Sequence, residues 1–69
     1  MATIYWTIAV KPVEDGWTWS AQGVTEAGAE YADDGAGDSF VSGDAARQAA
    51  EETIGRKASL NGEAIEIVD

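Results

Sequence analysis

Asp44 to Lys57, DAARQAAEETIGRK, constrains the fold more than any other stretch of the chain. Ala46, Ala49, Ala50, Thr53 and Ile54 recur at the spacing that gathers one apolar stripe on a helix. The stripe is built from small residues. A helix with an alanine face lies close to whatever it covers, so the bulky part of the core has to come from the opposing surface. Trp6, Trp17 and Trp19 supply it. Asp44 is expected to cap the first turn, and Arg56 and Lys57 to complement the helix dipole at the far end.

The remaining periodicity is that of strands. Ile4, Trp6, Ile8 and Val10 alternate with Thr3, Tyr5, Thr7, Ala9 and Lys11, the period of a half-buried strand. Pro12 to Gly16 then forms a turn, and a second strand over about 17–24 carries Trp17, Trp19 and Ala21 on the face of Trp6, with Thr18, Ser20 and Gln22 on the other. Ser39 to Ser42 reads as a short third strand, with a further short strand possible over Ala29 to Ala32. Asn61-Gly62 is a turn pair, and Glu63 to Asp69 a last strand with Ile65 and Ile67 inward and Ala64, Glu66 and Val68 outward. The order β-β-(β)-α-β, with one helix on one face of an antiparallel sheet of three to four strands, predicts an α+β two-layer sandwich forming a single domain over 1–69. The sheet face without a helix, carrying Tyr5, Thr7, Thr18, Ser20 and Gln22, is left to solvent, a partner or a second copy.

Composition removes most chemistry. The chain has no cysteine and no histidine, which excludes disulfides, thiolate nucleophiles, Cys/His metal sites and the usual general base near neutral pH. Its serines have no histidine to activate them, Glu51 and Glu52 diverge around the helix rather than sharing a substrate, and no glycine pattern matches a phosphate-binding loop. No catalytic residue is assigned, and an enzyme is not expected. Apolar runs fall short of the roughly 20 residues that span a bilayer, and Met1 to Lys11 lacks the pattern of a secretory leader, so a cytoplasmic protein is expected.

Thirteen acids against four bases give a net charge of -9. Between Lys11 and Arg47 no base occurs, while Glu14, Asp15, Glu26, Glu30, Asp33, Asp34, Asp38 and Asp44 all fall there. Such a field repels nucleic acid and membranes and steers the chain toward basic surfaces. Residues 25–39 are expected to be an irregular acidic loop. The carboxylates of Asp33, Asp34 and Asp38 among Gly35, Ala36 and Gly37 are of a kind calcium accepts, but their spacing departs from the EF-hand, and no metal or cofactor is assigned. Glu26, Glu30, Asp33, Asp34 and Asp38 can instead imitate the phosphates that a nucleic-acid-binding protein expects, with Tyr31 among them as an anchor. The partner predicted on this basis is the basic surface of a nucleic-acid-binding protein or nuclease. Self-association into a homodimer, through the open face or an edge strand, is the alternative from a different class.

A strand, an Asp-Gly turn, an aromatic second strand, a short third strand ending in Ser42-Gly43-Asp44 and an alanine-rich helix resemble the partner-neutralising domain of HicB-type antitoxins over about residues 3–57. That resemblance implies binding and masking of a small basic RNA-cleaving toxin. In size and charge the chain is also similar to phage anti-defence proteins, including anti-CRISPR proteins. That similarity implies an acidic inhibitor occupying the nucleic-acid-binding surface of its target.

Overall fold

The computed structural model describes residues 3–35 and 37–68. Ala36 of the glycine-rich segment, Asp69 at the expected end of the last strand, and Met1 and Ala2 lie outside them. Four strands, β1 (Thr3–Val13), β2 (Gly16–Val24), β3 (Glu30–Asp34) and β4 (Ala64–Val68), and one helix, α1 (Gly43–Asn61), form an α+β fold. The sheet order is β3-β2-β1-β4.

β1 and β2 are joined by Glu14 and Asp15 alone, with Val13 opposite Gly16. The hairpin is thus tighter than the Pro12–Gly16 turn expected. Pro12 is a strand residue, opposite Trp17. It is tolerated because β4 pairs with β1 only from Thr3 to Thr7, leaving β1 an edge where the missing N–H falls.

The sheet is mixed rather than wholly antiparallel: β4 runs parallel to β1. The helix is the cause. α1 returns the chain along the sheet after β3, so β4 must run in the direction of β3, which is also that of β1.

Ile4, Trp6, Ile8, Trp19, Ala21, Ala46, Ala50 and Ile54 form the core, with Val10, Trp17, Phe40, Ile65 and Ile67 packed around it. All three tryptophans face the helix, as the alternation predicts. Ala46 and Ala50 are 0% exposed, and with Ile54 and Ala58 they make an i, i+4 row down the helix. Ala49 and Thr53 flank that row, and Thr53 turns its hydroxyl back onto Ala49 O (2.8 Å). Close packing recurs within the sheet. A Cβ on Gly23 would lie 2.9 Å from the Trp6 indole and 2.8 Å from Ile4 Cγ2, so the ring rests directly on β2 backbone. The cost is one polar atom: Trp6 Nε1 is buried without a hydrogen-bond partner.

Both helix ends differ from expectation. Ser42, not Asp44, is the N-cap and accepts the Ala45 N–H (3.1 Å), while Asp44 sits in the first turn. The two residue types compete for the same position, and the extended backbone at Ser42 decides it. At the other end α1 runs through Asn61, and Gly62, at φ 68°, closes it. Gly62 N–H donates to Ser59 O (3.3 Å) and Glu63 N–H to Ala58 O (2.8 Å), a Schellman motif. The Asn61-Gly62 turn pair is therefore the helix stop itself, not a turn beyond a helix ending at Lys57. Arg56 and Lys57 lie before the last turn, which holds no base.

Gly55 lies inside the helix with nothing within 4 Å of where a Cβ would stand. Gly55→Ala is expected to stabilise the chain by up to about 1 kcal/mol and raise Tm by about 4–8 °C. Ser42→Ala should cost about 1 kcal/mol. Thermal and denaturant unfolding check both. A neutral Ser42→Ala would show that the cap is not holding the helix start.

Candidate functional site

Residues 25–39 are not one acidic loop. Thr25, Glu26, Ala27, Gly28 and Ala29 make a tight hairpin turn in which Thr25 N–H donates to Ala29 O (3.0 Å), Gly28 N–H to Thr25 O (3.0 Å) and Ala29 N–H to Thr25 Oγ1 (3.1 Å). Gly28 takes φ 89°, as the closing residue of such a three-residue loop must. β3 follows at once. The third strand is thus Glu30–Asp34, not Ser39–Ser42, where Phe40 makes a single bridge to Trp17.

Strand alternation divides the predicted site between two faces. Tyr31 is opposite Gly23 and Asp33 opposite Ala21, which places both on the helix side. Glu30, Ala32 and Asp34, opposite Val24, Gln22 and Ser20, belong to the open side. Glu26 stands at the tip of the β2–β3 turn. Asp38 lies at the other end, where it shares a shallow depression with Glu14, Asp15 and Lys11. Glu26, Glu30, Asp34 and Asp38 therefore follow one another along the β3 border of the sheet. Among the described residues, no three such carboxylates are grouped so as to hold a metal ion.

Tyr31 serves two surroundings. Its ring centroid is 6.4 Å from that of Trp6 at 45°, yet the residue is 43% exposed. One ring edge packs on the core and the other meets solvent.

Asp33 has a local task. Its Oδ2 accepts from Lys57 Nζ (2.7 Å) on the helix and its Oδ1 from the Asp34 N–H (2.9 Å). The backbone bonds Thr25 N–H to Ala29 O and Gly35 N–H to Trp19 O (both 3.0 Å) fix the phase of the ladder. In that phase Tyr31 and Asp33 bond to β2, while Glu30, Ala32 and Asp34 turn their backbone groups toward the free edge. Asp33 thus occupies an N–H that an added strand would need. A charged residue pointing inward on an edge strand is a known guard against edge-to-edge pairing. Lys57 is 60% exposed, so the ion pair itself contributes little stability.

The open face carries more than the acidic stretch. Register sets Glu30, Val24, Tyr5 and Glu66 side by side in one row across the four strands, and Ala32, Gln22, Thr7 and Val68 in the next. Tyr5 and its outward face are readable from alternation. The approach of Glu66 is not, because it depends on β4 lying parallel beside β1. Lys11 is the one base in the four strands.

Asp33→Leu removes the guard and is expected to change unfolding stability by less than about 1 kcal/mol. Sedimentation should show more concentration-dependent association than in the parent chain. Unchanged association would mean that β3 is protected by other means.

No helix among the described residues is long and apolar enough to cross a membrane. Comparison with models of known families, with characterised proteins and with solved structures returns no match.

Proposed function

We propose that this chain is an acidic inhibitor that binds the basic surface of a nucleic-acid-handling protein and excludes its nucleic acid, as phage anti-defence proteins do. The observation that carries the reading is the pair Glu30 and Asp34 on the outward side of β3, with Glu26 in the turn before the strand and Asp38 in the turn after it. Four-residue steps in a strand are about 13 Å, and about four nucleotide steps of one DNA strand advance the same distance. Glu30 and Asp34, held at that interval on one strand, cost less to order on binding than acids on a mobile loop. Asp33 is set apart from them by Lys57. An RNA-cleaving toxin, the target of a HicB-like antitoxin, falls within the same class of basic target.

The test is capture from bacterial lysate by the wild-type chain and by Glu30→Lys/Asp34→Lys, washed at low and at moderate salt, followed by competition with nucleic acid for the captured protein. A nucleic-acid-binding protein should be retained by the wild type, released by salt and displaced by nucleic acid. The variant should associate at least about tenfold more slowly, since steering accounts for that much of a charged encounter. Equal retention by the variant, or a target indifferent to nucleic acid, would contradict the proposal.

A further inference from the structure

We infer that the open sheet face is a seat for an arginine-bearing segment of the partner, centred on Tyr5. The inference rests on the reading above, that the chain binds a basic protein, and names the surface and the side chain it takes.

The helix covers one face of the sheet only, and the other is sided by Tyr5, Thr7, Gln22, Val24, Glu30 and Ala32, which line a shallow groove. The groove runs past Ala32, whose small side chain stands on this face beside the larger Gln22 and Thr7. Its floor is apolar or neutral and its ends are acidic: Tyr5 and Val24 stand in one row between Glu30 on one edge strand and Glu66 on the other. Three strand spacings put these two acids about 14 Å apart, with Glu66 about 5 Å from Tyr5 in the pairing direction. Among the described residues no hydrogen bond or ion pair engages the side chain of either glutamate. Tyr31 and Asp33, by contrast, are on the helix side, and the helix bases lie on that side too.

This arrangement selects its occupant by charge and shape. A second copy would bring Glu30, Asp34 and Glu66 against the same three acids, with only Lys11 to offset them. A basic segment meets the opposite sign. Within basic segments, arginine fits better than lysine. Its planar, weakly hydrated guanidinium stacks on a tyrosine ring and at the same time offers a fork to a neighbouring carboxylate, whereas an ammonium keeps its water. Its aliphatic stem has Val24 and Thr7 to lie along.

The probes are two synthetic peptides, hexa-arginine and hexa-lysine, titrated into the intact chain at low salt and followed by backbone amide chemical shifts. Hexa-arginine should bind more tightly than hexa-lysine, with the largest shifts at Tyr5, Thr7, Gln22, Val24 and Glu66. Tyr5→Leu should weaken hexa-arginine about threefold to tenfold and remove the preference over lysine. Tyr5→Phe should retain the preference, which separates loss of the ring from loss of the fold. Equal binding of both peptides with no effect of Tyr5→Leu, or shifts centred on Glu14, Asp15 and Asp38, would overturn the seat while leaving the lysate result to decide the inhibitor reading. Failure of hexa-arginine to bind, with a partner still captured from lysate, would overturn it as well.

Discussion

The structure depends on small residues of one helix meeting large residues of one sheet. Ala46 and Ala50 are wholly buried beneath an α1 backbone that lies over Trp6, Trp19 and Ile8, and Ile54 and Ala58 continue the row. An alanine seam has no side chain long enough to bridge a gap, so the bulk must come from the strands. Within the sheet the same complementarity returns, with Trp6 resting on Gly23. The contact is close enough that an indole N–H is left without a partner, and the aromatic area buried around it offsets that loss. For a chain of 69 residues, whose core is small, this economy leaves little else to stabilise the fold.

The seam also determines what remains outside. One helix reaching from β3 back to β4 covers one face and forces β4 parallel to β1. The uncovered face inherits every outward residue of four strands, and the parallel register brings Glu66 beside Tyr5. Acids that lie far apart in the chain, Glu30 and Glu66, come to flank the same apolar pair. Strand alternation makes the opposite division within β3, where Asp33 is turned inward to Lys57 and works for the fold, and its neighbours Glu30 and Asp34 are turned outward. Equal charges in sequence thus have unequal roles in space.

Much of this was legible in the residues. The helix, its alanine stripe, the tryptophan face and the polar alternation of β1 and β2 follow from periodicity, because burial of one face imposes it. β3 was legible only in part, as a short strand over Ala29 to Ala32, because EYADD has no apolar residue of its own at the inward positions except the half-exposed Tyr31, and an acidic edge strand looks like a solvated loop. The turn chemistry of Thr25 to Ala29 was the available signal. Asn61-Gly62 was ambiguous, since the same left-handed glycine closes a hairpin or a helix, and the helix won because Ala58 completes the buried row. Of the predicted site, Glu26, Glu30, Asp34 and Asp38 fall along one border. Asp33 is withdrawn from it by an ion pair between residues 24 positions apart, which local pattern cannot show.

The division of the sheet into a packed and an open face is tested most directly by one matched pair of substitutions. Ala50→Leu enlarges the seam and Ala9→Leu makes the same chemical change on the open side, where Ala9 is exposed opposite Ser20. Unfolding stability should fall by about 1–3 kcal/mol or more for Ala50→Leu, as overpacking lifts the helix. For Ala9→Leu it should stay within about 0.5 kcal/mol of the parent. Equal losses, or a larger loss for Ala9→Leu, would contradict an alanine helix seated on the tryptophan face and a free surface opposite it.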